Sequence, residues 1–144
     1  MLLTRSRGRE IVLKILFQAE WEDIQDVDMA ITEYVTGLAD EPLEENDPAT
    51  SFAKKRLKDI LACREELDDL IRKNSSHWKL DRMACVDRNI LRLGVFELCR
   101  CHDIPPKVAI NEAVELAKKF GTDESGAFIN GILDAILRST GRNL

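Results

Sequence analysis

Residues 84–101 read ACVDRNILRLGVFELCRC, and this stretch decides the fold. Val86, Ile90, Leu91, Leu93, Val95, Phe96 and Leu98 place apolar groups on more than one side of a helix. A helix that is apolar most of the way round has to be covered on most sides, so it belongs at the centre of a bundle. No period-two strand of useful length occurs anywhere in the 144 residues.

Working outward, Asp103-Ile104-Pro105-Pro106 ends this helix, and Pro106 suits the first turn of the next. Val108, Ile110, Val114 and Ala117 then follow at helical spacing as far as Gly121. Thr122 or Asp123 starts a last helix with Phe128, Ile129, Ile132, Leu133 and Ile136. Upstream, Trp78, Leu80 and Met83 fit a short helix packed inward. Thr50 or Ser51 caps a helix carrying Ala53, Leu57, Ile60, Leu61, Leu67 and Ile71 to about Asn74. Its charges, Lys54, Lys55, Arg56 and Lys58 with Glu65, Glu66, Asp68 and Asp69, read as a solvated face. Residues 39–50 (ADEPLEENDPAT) form a solvated loop, and 27–38 and 5–22 are amphipathic helices. The expectation is an all-α single domain over 1–144, about seven helices in two packed halves of approximately 1–74 and 75–144.

Net charge is −5, which as one number argues against a simple nucleic-acid binder. The distribution says otherwise. Residues 1–14 carry Arg5, Arg7, Arg9 and Lys14 against Glu10, whereas residues 15–50 hold eleven acids and no Lys or Arg. The remainder is slightly basic, so the average is a poor guide to partners.

Several function classes are excluded or disfavoured. No apolar run approaches the ~20 residues of a spanning helix, and the arginine-rich start has no secretory h-region, so a cytoplasmic protein is expected. Cys63, Cys85, Cys99 and Cys101 then read as reduced thiols. Cys99-Arg100-Cys101-His102 offers zinc-compatible ligands without the usual paired spacing, and incidental cysteines are the better reading. Gly121, Gly126 and Gly131 lie along predicted helix and make no phosphate-cradling loop, and no nucleophile elbow occurs. No catalytic residue, metal or cofactor is expected.

The N-terminal segment is more informative. Arg7, Lys14, Phe17 and Gln18 fall on one helical face and make a basic patch with an aromatic. Arginine pairs bidentately with phosphate and an aromatic can stack a splayed base, which suits single-stranded RNA. The bland alternative is solvated charge, with Phe17 in the core.

Longer patterns are recognisable. Trp78-x-Leu80-x-Arg82, Val86-Asp87-Arg88-x-Ile90-Leu91-Arg92-Leu93 and Phe96-Glu97-Leu98 resemble the NusB transcription antitermination family. So do Asp103-Ile104-Pro105-x-Lys107 through Lys118, Phe120-Gly121, and Phe128-Ile129-Asn130-Gly131 to Asp134. Arg7-x-Arg9-Glu10 through Leu16-Phe17-Gln18-x-Glu20 is similar to the family's first helix. The resemblance implies a non-enzymatic factor that pairs with the ribosomal protein NusE and binds boxA RNA. It would seed a complex with NusA, NusG and RNA polymerase that suppresses termination, notably in ribosomal RNA operons. By motif position the RNA side would include Arg5, Arg7, Arg9, Phe17 and Phe128, and the residue patterns add Lys14, Gln18 and Lys118. The NusE side would draw on Asp87, Asp123 and Glu124, since acids suit a basic partner.

The family pattern is not followed throughout. Ser6 and Gly8 separate single arginines, Phe17 stands where tyrosine is common, and Gly126-Ala127 offers no base before Phe128. Gly8 also weakens a helix by up to ~1 kcal/mol relative to Ala. Asn111 and Asn130 fall mid-helix, where they are expected to bond backbone inside the bundle. Arg88 and Asp134 are expected as buried or half-buried ion-pair members. The strongest rival from another class is an RNA-modifying enzyme, since NusB-like domains also accompany RNA cytosine methyltransferases, but the nucleotide-binding sheet it would need is not found in the sequence. A helical adaptor that binds only protein is the second rival, and a homodimer stays open.

Overall fold

The order of elements is α1 (Leu2–Ala19), α2 (Val27–Glu33), α3 (Pro48–Ala62), α4 (Arg64–Lys73), α5 (Cys85–Arg100), α6 (Pro106–Phe120) and α7 (Ser125–Thr140). The structure is a computed structural model and describes residues 2–75 and 79–140. No strand occurs among the described residues, as the sequence predicts, and no helix is long and apolar enough to cross a membrane. α2 runs on into a π-helical turn, Tyr34–Leu38, and a 3-10 turn, Leu80–Arg82, precedes α5. Leu80 and Met83 are buried as expected, while Trp78 lies outside the described residues.

Two compact units result, Met1–Ala62 and Cys63–Leu144. The sequence places the division near 74–78; the structure places it earlier because the helix expected to run unbroken to Asn74 is interrupted at Cys63. α4 packs on α5 and so groups with the second unit.

In the first unit α1 packs mainly on α3, with α2 against both. Val12, Ile15 and Leu16 of α1 are buried, as are Ile31, Val35, Leu57 and Ile60. The start of α3 corrects the expected cap. Asp47 Oδ1 accepts from the Ala49 backbone N–H at 2.8 Å, Pro48 takes the first helical position, and Thr50 is buried with its hydroxyl donated to the Glu44 carbonyl. An acidic cap followed by proline satisfies one exposed N–H and removes another, so the helix begins at the loop's own proline. Lys58 reaches Asp28 of α2 at 2.9 Å, and its hydrogen bond holds the Asp28 carboxyl below the usual carboxylate range.

Gly8 has a packing role that its helix propensity hides. It is buried, and a Cβ there would run into the Phe52 ring and lie 3.2 Å from the Ala49 carbonyl oxygen. Its bare backbone lets α1 approach α3 closely at this turn.

In the second unit α5 is the central element, packed by α4, α6 and α7. Its residues from Asn89 to Leu98 are all buried, which is the arrangement its apolar pattern predicts. A Cβ on Gly94 would sit 3.0 Å from Leu133 Cδ1 and 3.3 Å from Ala113 Cβ, so glycine again marks a close approach of helices. Pro106 opens α6 and Gly121 follows its last residue. Asp68 departs from its expected place on a solvated face. It is 7% exposed and accepts from Arg92 Nε at 2.7 Å and Nη2 at 3.1 Å, while Arg92 Nη1 donates to Asn89 Oδ1 at 2.9 Å. A buried guanidinium needs its charge balanced and its donors satisfied, and α4 supplies the carboxylate. Asp134 is half-buried and pairs with Arg138, and Arg88, also half-buried, donates to the Met83 carbonyl at 2.8 Å.

Candidate nucleic-acid interface

The N-terminal arginines are not on an extended arm, because α1 begins at Leu2 and carries all three. Helical geometry then separates them. Arg5 and Arg9 are one turn apart and share a face, and both lie over the Phe52 ring of α3, at 5.9 and 5.8 Å from its centroid. Arg56, one turn along α3 from Phe52, closes on the same ring at 4.8 Å. Arg9 is only 2% exposed, so Arg5 and Arg56 present the more accessible charge of this cluster. Arg7 points elsewhere. It pairs with Glu41 Oε2 at 3.0 Å and also donates to the Glu41 backbone carbonyl.

Lys14, Phe17 and Gln18 continue along α1 at helical spacing from Arg7, and all are half-buried. Gln18 donates to Glu22 Oε1 at 2.6 Å. One turn beyond Phe17, outside the helix, Trp21 is 84% exposed. Positive charge therefore concentrates toward the start of α1 and aromatic surface toward its end. Guanidiniums that converge on one ring can meet a phosphate together, and a half-buried aromatic can stack a base from its open side.

Lys118 and Phe128 belong to the second unit. Lys118 is exposed at the end of α6 and pairs with Glu115 at 3.4 Å, and Phe128 is half-buried in the first turn of α7. Between them Thr122 Oγ1 donates to Glu124 Oε2 at 3.3 Å, and the Thr122 backbone N–H to Ser125 Oγ at 3.0 Å. Asp123 and Glu124 stand exposed on this turn, an acidic point available to a basic partner. Asp87 lies in the first turn of α5, half-buried, with Oδ1 enclosed and unbonded among the described residues. A carboxylate there is favoured by the helix dipole.

Three features escaped the sequence reading. Phe52 and Arg56 were legible only as an i, i+4 pair on a charged helix, and nothing local shows that Arg5 and Arg9 meet them. Glu41 sits in a loop whose docking on Arg7 has no sequence signature. Asn111 and Asn130 are not inside the bundle; both are exposed, and neither amide is held by a hydrogen bond to another described residue. Asn89, by contrast, is buried and donates to the Cys85 carbonyl, so the expected role of a mid-helix asparagine falls to a different residue. No group of three or more His, Cys, Asp or Glu among the described residues could hold a metal ion.

The family model described as the NusB family matches residues 6–138. The transcription antitermination protein NusB of Myxococcus xanthus is 44% identical over 132 residues, 92% of this chain and 93% of that protein. Among solved structures, T. maritima NusB superposes with a TM-score of 0.79 at 39% identity, covering 93% of this chain and 90% of that one. A crystal structure of antitermination factors NusB and NusE in complex with dsRNA contains a chain 29% identical to this one. Its TM-score is 0.80, and the match covers 96% of this chain and 99% of that one.

Proposed function

Since the chain belongs to the NusB family, we propose that it is a non-enzymatic RNA-binding factor for transcription antitermination. In this reading it pairs with NusE to bind boxA RNA and suppress termination, notably in ribosomal RNA operons. The observation that carries the RNA part is the convergence of Arg5, Arg9 and Arg56 on Phe52. Guanidinium groups gathered on one aromatic face present several N–H donors that a phosphate group can accept together. Arg7, Lys14, Phe17 and Gln18 extend the same helix into a surface on which a strand is held by phosphate and stacked by base. Within the second unit, Lys118 and Phe128 are a cation and an aromatic that the same reading assigns to RNA. The similar chain in a structure of NusB and NusE in complex with dsRNA supports the same reading.

Asp87, Asp123 and Glu124 would face NusE, a basic ribosomal protein, and steer its approach. NusA, NusG and RNA polymerase would join through that assembly, in the cytoplasm. A handful of phosphate contacts gives salt-sensitive and weakly selective binding, with each contact adding about 0.7 to the slope for a single strand. The protein alone is therefore a modest RNA binder, and NusE improves it by adding contacts.

A gel-shift titration with a boxA-type single-stranded RNA, with and without NusE, tests this function. The expected result is a shift that tightens when NusE is added and weakens steeply with salt. Equal RNA binding by the parent and by Arg5→Ala/Arg7→Ala would remove α1 from the site. Binding of NusE without any gain in RNA affinity would favour the protein-only adaptor. Light scattering with and without RNA decides whether a homodimer competes with RNA.

A further inference from the structure

In the second unit a groove of about 460 Å³ opens between α6 and α7. That volume falls within the ~300–1,000 Å³ of small-molecule sites. Asn111 and Lys118 line it from α6 and Asn130 from α7, with Val114, Gly126 and Ala127 supplying a small apolar surface. The two asparagines are the ones that lack a partner among the described residues. Each is a poorer helix former than alanine and stabilises nothing visible in return. Two free amides brought into one groove from two helices form a donor and acceptor set without a present occupant.

Charge narrows the choice of occupant. Asp123 lines the groove too and offsets Lys118, so an isolated anion finds no net attraction there. The set instead suits a flat, neutral group with donors and acceptors on its edge, beside a single phosphate. Lys118 is available for that phosphate, because its pairing with Glu115 is an exposed i, i+3 contact that exchanges easily.

We propose that the α6–α7 groove is a base-reading subsite for single-stranded RNA. It takes one unstacked nucleobase, hydrogen-bonded at its edge by Asn111 and Asn130, with Lys118 on the adjoining phosphate. Amide side chains read base edges in this way, and single-stranded RNA is recognised through splayed bases. The proposal rests on the RNA-binding function above and adds to it a source of sequence preference separate from α1.

The test uses the whole chain, fluorescence anisotropy and a labelled boxA-type RNA in which each nucleotide in turn is made abasic. In the parent protein one abasic position should weaken binding about tenfold, and Asn111→Ala and Asn130→Ala should each weaken the intact RNA similarly. In those variants the abasic penalty at that position should vanish, because the lost contact is the same one. Both substitutions place alanine at exposed helical sites, so folding is preserved or improved. Gly126→Leu should act alike by filling the groove, since a Cβ there meets only Val114 Cγ1, at an ordinary 3.7 Å. An unchanged abasic profile in all three variants would overturn the subsite. If Arg5→Ala/Arg7→Ala still lost RNA in that case, the RNA function would stand without it. Variants that lose NusE while RNA binding is intact would assign the groove to protein, and no RNA binding by the parent, with or without NusE, would remove both readings.

Discussion

Arginine is packed into both units, but in different settings. In the second, Arg92 is sealed between α4 and α5 with Asp68 and Asn89 satisfying its fork. In the first, Arg5, Arg9 and Arg56 gather on the face of Phe52, where each contact is worth ~0.5–2 kcal/mol. The first arrangement is complete in itself and leaves no valence for a ligand. The second gathers guanidinium groups on one ring, and Arg5 and Arg56 stay half-buried rather than sealed. Packing of a cation therefore does not by itself separate a structural residue from a binding one; how far its charged group stays open to solvent does.

The sharpest way to break this contrast is Asp68→Ala. It leaves Arg92 buried without its carboxylate and should lower stability by ~3–5 kcal/mol in urea unfolding. A loss below ~1 kcal/mol would show that the pair does not hold α4 on α5. Gly8→Ala comes next. Propensity alone would favour it by up to ~1 kcal/mol. The Phe52 ring stands in the way, so a net loss of ~1–3 kcal/mol is expected in the same measurement, with weaker RNA binding from a displaced cluster. Arg56→Ala should change stability by less than ~1 kcal/mol yet reduce the salt dependence of RNA affinity by ~0.7 in slope. An unchanged slope would make Arg56 as structural as Arg92. Smallest is Glu41→Ala, which frees Arg7 from a carboxylate that is 84% exposed. Stability should move by no more than ~1 kcal/mol. RNA affinity at low salt should rise two- to threefold, and a fall would mean that Arg7 needs Glu41 to hold its position.

The sequence reads well wherever a local pattern and a tertiary demand coincide. The all-round apolar character of Leu91, Leu93, Val95 and Phe96 leaves α5 nowhere but the centre, and Pro106 and Gly121 bracket α6 by backbone chemistry alone. It reads poorly where two segments must first meet. Asp68 looks like its exposed neighbour Asp69 until α5 brings Arg92 to it. Phe52 looks like an ordinary half of an amphipathic helix until Gly8 lets α1 come close. The α1 residues of the candidate site were legible because their types and spacing already carry phosphate and stacking chemistry. Arg56 and the paired amides were not, because their meaning lies in residues many turns away. Asn111 and Asn130 misled for a related reason: mid-helix asparagine is disfavoured whether it is buried and bonded or exposed and idle, so propensity marks the position without saying which.

The ring of Phe52 also makes the cluster observable. Guanidinium protons held over an aromatic face sit in its shielding cone, and their NMR signals are displaced upfield from those of solvated arginine. A phosphate that draws Arg5 or Arg56 off the ring would return those signals toward ordinary positions. The packing of α1 on α3 thus supplies a built-in spectroscopic reporter, able to tell which arginine moves first as RNA is added and which stays on the ring.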